Sequence, residues 1–394
     1  MDKTLIVGLN SNLKNIVGDL DGEILVIDEM GLKHAGQYTT FESDNVLSLY
    51  QASLVTGRLE HDDFSASQEF YEHLYNQQHE LEYMNLKDLQ DYLSAKNIKV
   101  LKGRLRVVDA NHAELTYLGE TTSIEFDKLI LNTGFIEENP TDSPFVFTFN
   151  QFLNTGQLFR RILVDAKSLR GLEIAGLLAR FGCEVTLVSG KALFSEIDHL
   201  MFRDAVRESI VDQGINHLEK YTIESIEDLD NVAKVHVKPL SQLAFEITNQ
   251  VKEQTIEVDA IVIESDPTKP SFVEGEEDLS KPLRQHDSVF LNPVLASVKT
   301  SESGVPHRFD AQEFTYFKTR FEIDGGIELL VKDEFIIGGT FYCHNALELA
   351  QLLELIKHIP VGEIQHLSVF ENSLLGVFKE AATKILEKDD QNGR

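Results

Sequence analysis

A strand that runs into a tight turn, then a helix, then a second strand occurs twice in this chain, and each copy has lost some of the turn's glycines. The first copy is Leu5-Ile6-Val7-Gly8-Leu9-Asn10-Ser11-Asn12-Leu13, closed by Ile24-Leu25-Val26-Ile27 and the acid Asp28. The second is Ile162-Leu163-Val164-Asp165-Ala166-Lys167-Ser168-Leu169-Arg170-Gly171, followed by an apolar helix over residues 172–180 and the strand Glu184-Val185-Thr186-Leu187-Val188. Short apolar runs that end in breakers and lead into helical patterns read as buried parallel strands of β-α-β units. In such a turn the second glycine lets backbone approach a pyrophosphate and the third lets the helix pack closely on the strand. Those positions hold Asn10 and Leu13 in the first unit, and Ser168 and Gly171 in the second, where Ala166 stands first.

At 394 residues the chain is long enough for two or three domains. Its apolar fraction of 42% and charged fraction of 26% are those of a water-soluble globular protein. There is no run of eighteen apolar residues, and Met1-Asp2-Lys3 leads directly into a strand. The expectation is therefore no membrane partner and a cytoplasmic location. The formal charge of -29 argues against a nucleic-acid partner, because phosphates would be repelled without a local basic patch. The two cysteines, Cys183 and Cys343, stand far apart, so they form neither a local dithiol nor a zinc pair, and no metal is expected. Cys343 adjoins His344, but neighbours on a strand face opposite sides.

Along the chain, strands are expected near residues 98–101, 105–108 and 126–131, the last delivering Asn132-Thr133-Gly134. A breaker-rich stretch comes next, at Glu137-Glu138-Asn139-Pro140. Strands near 232–237 and 260–263 precede a charged, breaker-rich segment from Asp266 to Asp287. In the last portion, strands over 317–323 and 328–331 are expected to form a hairpin through Asp324-Gly325-Gly326. Helices over 346–358 and 374–386 then complete an α+β unit, with a frayed tail from Lys388.

Three stretches carry a family resemblance across nearly the whole chain. Phe126-Asp127-Lys128-Leu129-Ile130-Leu131-Asn132-Thr133-Gly134 resembles the strand ending in Ala-Thr-Gly of the pyridine nucleotide-disulfide oxidoreductases. Gly171-Leu172-Glu173-Ile174-Ala175, continued by Phe181-Gly182-Cys183-Glu184-Val185-Thr186-Leu187, is similar to that family's second dinucleotide unit. Ser288-Val289-Phe290-Leu291-Asn292-Pro293-Val294-Leu295-Ala296-Ser297-Val298 looks like the entry to its dimerisation domain. The resemblance implies an α/β fold of two Rossmann-like FAD/NAD(P)-type nucleotide-binding domains plus a C-terminal α+β dimerisation domain. Its expected boundaries are 1–150 for the FAD-type domain, 151–268 for the NAD(P)-type domain, 269–287 for a linker that is a shortened remnant of the FAD domain, and 288–394 for the dimerisation domain. A homodimer is implied.

The family's chemistry is only partly represented. Its Cys-x-x-x-x-Cys pair aligns with Tyr38 and Ser43, and no cysteine precedes Cys183. Its His-Pro…Glu acid-base group falls near His366 and Glu371, with the proline lost. Its Gly-Asp segment, which closes the flavin site, is missing between Ile263 and Ser288. The residues carried over for cofactor binding are Gly8, Asn10, Asp28, Glu29, Thr133, Gly134, Ala166, Ser168 and Gly171, and they are read as vestigial. Losing about three phosphate hydrogen bonds at about 1.5–3 kcal/mol each would remove several decades of affinity. In the second unit the acid expected on the ribose is Ser189, and Asp165 is expected to act as the resident anion of the next helix.

No catalytic residue and no cofactor are assigned, FAD or NAD(P) being what these positions would take. The expectation is a non-catalytic, dimeric interaction or regulatory protein with a protein partner. The alternatives are a residual FAD- or NAD(P)H-dependent oxidoreductase without a redox disulfide, and an adenine-nucleotide sensor.

Overall fold

The structure is a computed structural model that describes residues 3–9, 13–18, 20–28, 64–132, 139–197, 200–240, 253–264, 273–274, 287–289, 293–320 and 325–392. Its first sheet is wholly parallel, in the order β3-β2-β1-β7, with β1 Lys3–Val7, β2 Glu23–Asp28, β3 Lys99–Lys102 and β7 Lys128–Leu131. Strand alternation gives this sheet two faces. Leu5, Val7 and Ile27 pack on Leu105 and Leu115 of an antiparallel layer and on Phe126, which follows its last strand. Ile6 and Val26 pack instead on Leu13 and Val17 of α1 Leu13–Gly18, and on Leu89 and Leu93 of α2 Phe64–Ala95.

The antiparallel layer consists of β4 Arg104–Asp109, β5 His112–Tyr117 and β6 Glu120–Glu125. After the second unit the chain returns to it: β16 Val273–Glu274 pairs in parallel with β4. Helix α2 also reaches the second unit through its N-terminal half. The Tyr71 ring meets Phe181 edge-on at 5.6 Å, and the Tyr75 hydroxyl donates to the Asn154 carbonyl at 3.1 Å. Burial beside these groups pushes the Tyr71 phenol above its usual range, so it stays neutral.

The second sheet is also parallel, in the order β11-β10-β9-β15-β8. Its strands are β8 Val146–Thr148, β9 Arg161–Ala166, β10 Glu184–Ser189, β11 Asn216–Glu219 and β15 Ala260–Ile263. One face (Ile162, Val164, Ala166, Ala260, Val262) packs on the helices. The other (Leu163, Val188, Ile261, Ile263) packs on a meander of β12 Tyr221–Asp228, β13 Ala233–Pro239 and β14 Gln254–Val258. Helix α3 Leu169–Arg180 comes after β9 and is buried along most of its length, as an apolar helix on a parallel sheet must be.

The C-terminal sheet is antiparallel: β17 Asp287–Val289, β18 Val294–Val298, β21 Phe335–Cys343, β20 Gly326–Lys332 and β19 Val305–Asp310, in that order. Helices α4 Ala346–Ile356 and α5 Leu374–Asn392 complete this unit. The chain thus has the mixed α/β architecture expected, with two parallel sheets and an α+β C-terminal unit.

Three local expectations are corrected. Of the strand expected over 317–323, residues 317–320 are described and form helical and turn structure, while 321–323 lie outside the described residues. The strand that precedes and pairs with β20 is β19, and a capping box between Asp310 and Glu313 then turns the chain into helical turns that bury Phe314 and Phe317. The hairpin onto β20 is β20–β21, turned by Asp333 and Glu334, which take φ of 49° and 68°. Gly325 serves as a close-approach point, since a Cβ there would lie 1.6 Å from the Tyr342 carbonyl oxygen. Lastly, α5 continues to Asn392, with Lys388 Nζ 4.9 Å from the centre of the Phe309 ring. Substituting Gly325→Ala is expected to cost about 3 kcal/mol or more. Urea unfolding checks this, and a cost below about 1 kcal/mol would contradict the packing described.

Candidate nucleotide site

In open parallel sheets the ligand crevice lies beyond the carboxyl ends of the strands, where successive crossovers leave in opposite directions. Strand β9 is such a point, because it pairs with β10 on one side and β15 on the other. The pairing of Ile263 with Asp165 fixes the position of the next residue, Glu264. Its N–H continues the ladder by donating to the Asp165 carbonyl at 3.0 Å. Ile263 faces the meander, so alternation turns Glu264 to the helix face, beside the start of α3.

There its carboxylate sits against the turn between β9 and α3. The amides of Lys167 and Ser168 donate to Glu264 Oε2 at 2.8 and 2.9 Å, and the Ser168 hydroxyl donates to Oε1. Ser168 is also the N-cap of α3, its hydroxyl oxygen accepting the Arg170 N–H at 3.1 Å. An anion at this end is favoured by the helix dipole. The close packing that a third glycine permits is kept: a Cβ on Gly171 would stand 2.3 Å from Ala166 Cβ and 3.0 Å from Glu264 Oε2. Ala166, Ser168 and Gly171 therefore come together, around an internal carboxylate.

The expected resident anion, Asp165, is corrected to Glu264. Asp165 shares the parity of Leu163 on β9, so its side chain faces the meander and not the helix. Burial raises its carboxyl above the usual range; Glu264 adds to the shift and Lys167 opposes it. At the ribose position Ser189 is fully buried, its hydroxyl 3.0 Å from His217 Nε2. The His217 ring meets Phe194 edge-on at 5.4 Å. Burial lowers the imidazole's pKa, with Arg207 adding to the shift and Glu219 opposing it, so the ring is neutral at pH 7.

In the first unit Gly8 takes φ of 104°, the backbone state a glycine supplies at such a turn. Asp28 ends β2, is fully buried, and accepts the Leu9 N–H at 3.2 Å. Asn132 Nδ2 donates to the Gly8 carbonyl at 3.3 Å. Leu13 stands fully buried in the helix-side core, where close packing would call for glycine. Asn10, Glu29, Tyr38, Ser43, Thr133 and Gly134 lie outside the described residues.

The remaining candidates do not converge. Cys183 and Cys343 are both buried free thiols, and burial pushes the Cys183 thiol up, which disfavours a thiolate. Cys343 ends β21 inside the core, whereas His344 is exposed. The His366 ring lies 3.2 Å from Gln365 Nε2, and no hydrogen bond or ion pair joins it to Glu371. Among the described residues no group of three or more acidic, histidine or cysteine side chains could hold a metal, and no helix is long and apolar enough to cross a membrane. Sequence reasoning missed Glu264 and His217. The available signal was an acid directly after a four-residue apolar strand whose neighbour is the turn-bearing strand.

A family model described as pyridine nucleotide-disulphide oxidoreductase matches residues 33–265, more than half of the chain, and the chain belongs to that family. Over 160 residues it is 24% identical to the probable pyridine nucleotide-disulfide oxidoreductase RclA of Escherichia coli, covering 39% of this chain and 36% of that protein. It is 27% identical to mercuric reductase of Bacillus cereus over 161 residues, 40% of this chain and 24% of that one. The chain thus aligns with about a third or less of the length of these curated relatives. In three dimensions the likeness extends over nearly the whole chain. The structure of HOCl-induced flavoprotein disulfide reductase RclA from E. coli, a Cu(II) complex, superposes with a TM-score of 0.73 at 15% identity, covering 98% of this chain and 99% of the other. LpdA from Mycobacterium tuberculosis gives 0.72 at 15% identity, covering 98% and 100%. At that identity these likenesses establish the fold.

A pyridine dinucleotide does not fit the second unit as it stands. Its pyrophosphate would compete with Glu264 for two amides and a hydroxyl, and would meet like charge. Two unit charges about 5 Å apart repel by about 3 kcal/mol at an effective dielectric of about 20. In the first unit Gly8 and Asp28 are the residue types that the adenine half of FAD takes, but Asp28 spends an oxygen on Leu9 and presents no surface to a ribose.

The site's two carboxylates should affect stability in opposite ways. Glu264→Ala should lose about 2 kcal/mol at pH 7 in urea unfolding, since two charge-assisted backbone bonds vanish and their amides turn to water. Asp165→Asn should do the opposite. A carboxyl whose folded pKa is raised favours the fold below its unfolded pKa of about 3.9 and loses that contribution as pH rises through the folded value. The asparagine variant is therefore expected to melt higher than wild type at pH 7 and level with it below about pH 3.9. A lower melting temperature at pH 7 would contradict the assignment.

Proposed function

We propose that this member of the family does not pass electrons from a pyridine nucleotide to a dithiol, and acts as a non-catalytic, homodimeric interaction or regulatory protein. One observation carries the reading: both cysteines of the sequence are buried free thiols on different sheets, Cys183 just before β10 and Cys343 at the end of β21. A disulfide cycle needs two sulfurs in reach of each other and of a reductant, and a thiolate that forms readily. The placement of Asp28 and Ser189, each enclosed and bonded within the protein, supports the same reading. The proposed dimer surface lies in the C-terminal unit, where Leu355 and Phe370 are exposed at 74% and 83%. The units proposed are 1–150, 151–268, a linker over 269–287, and 288–394, with the cytoplasm as location.

The comparisons favour a second reading more directly, a flavin-dependent oxidoreductase that works without a redox disulfide. The matched family and the flavoprotein disulfide reductase fold support it, as does the retained turn at Gly8. Visible absorption of the purified protein, before and after incubation with excess FAD and gel filtration, separates the two. The first reading predicts a colourless protein that elutes as a dimer and oxidises neither NADH nor NADPH. About one flavin per subunit, with turnover of either nucleotide, would establish the second.

A further inference from the structure

We infer that Glu264 is the residue that excludes pyridine dinucleotides from the second unit, acting as a built-in substitute for the ligand's phosphate. The inference stands apart from the thiol argument and holds equally for a flavin-bearing protein. A phosphate at this turn would need the amides of Lys167 and Ser168 and the hydroxyl of Ser168, and all three already donate to the Glu264 carboxylate. The carboxylate is not a wandering surface group. Its backbone is held in the parallel ladder by its own N–H on the Asp165 carbonyl, and its side chain is held by both oxygens.

The surrounding scaffold remains that of an anion seat. Ala166 and Gly171 are small where helix and strand must approach, and Ser168 caps a helix of twelve residues. A side chain with one more acidic arm than the turn can tolerate thus separates this unit from one that takes a dinucleotide. The Ser189–His217 pair closes the ribose position independently, so relieving the first block should restore phosphate recognition more fully than nucleotide recognition.

The test compares wild type, Glu264→Gln and Glu264→Ala. Inorganic pyrophosphate is measured by thermal shift and NADH by fluorescence titration. Glutamine keeps the shape of the side chain, removes its charge and leaves a weaker, displaceable acceptor; alanine empties the seat. Wild type is expected to show no saturable binding of either probe up to about 1 mM. Both variants should gain pyrophosphate binding at least about tenfold tighter than wild type, alanine more than glutamine, with a smaller gain for NADH. Wild type that binds NADH as tightly as the variants would overturn the inference. So would a glutamine variant, folded by circular dichroism, that stays as blind to pyrophosphate as wild type, whatever the fate of the alanine variant.

Discussion

The amides of Lys167 and Ser168 lie just past the end of β9, at the start of α3, where backbone donors need an acceptor from outside the helix. In this chain they are met by Glu264. That contact joins β15, β9 and α3 at one point and orders the edge where a ligand would enter. It also supplies the negative charge that the helix dipole favours, without a bound anion. The consequence is a nucleotide-type fold whose phosphate seat is satisfied by its own sequence.

Alternation explains why this acid serves and its neighbour does not. β9 and β15 run in register, with Ile263 opposite Asp165. Asp165 faces the meander, where burial makes its charge costly, and Glu264, one residue past Ile263, faces the helix. The same parity rule sorts Leu5 and Val7 from Ile6 in the first sheet, and Val164 from Leu163 in the second. Two sheets, each packed on both faces, leave little freedom for side chains at the strand ends. Asp28 and Ser189, at the ends of β2 and β10, are accordingly drawn inward onto Leu9 and His217.

Much of the architecture was legible because it rests on continuous apolar strands and periodic helices. The parallel strands at Leu5 and Ile162, the helix after Gly171 and the two closing helices all declare themselves in that way. The C-terminal hairpin did not, because Asp333 and Glu334 adopt left-handed backbone without a glycine to signal it, while Gly325 and Gly326 suggested a turn that belongs to a close strand approach. The helical turn at Phe317 was foreshadowed by Asp310 and Glu313, three residues apart, a capping pattern hidden by the alternation of Phe317, Thr319, Phe321 and Ile323. At the site, the small residues Ala166, Ser168 and Gly171 were visible as a turn. Their occupant was not, since Glu264 lies nearly a hundred residues away and is brought there only by strand pairing.

What the second unit binds turns on the carboxylate of Glu264. Residue-resolved amide hydrogen exchange of the wild-type protein at Lys167 and Ser168, with and without saturating NADH, tests this most directly. Both amides are expected to be protected in the free protein and unchanged by NADH, because their acceptor is already part of the chain. Unprotected amides that become protected only when NADH is added would show that the seat is open, and would contradict the account.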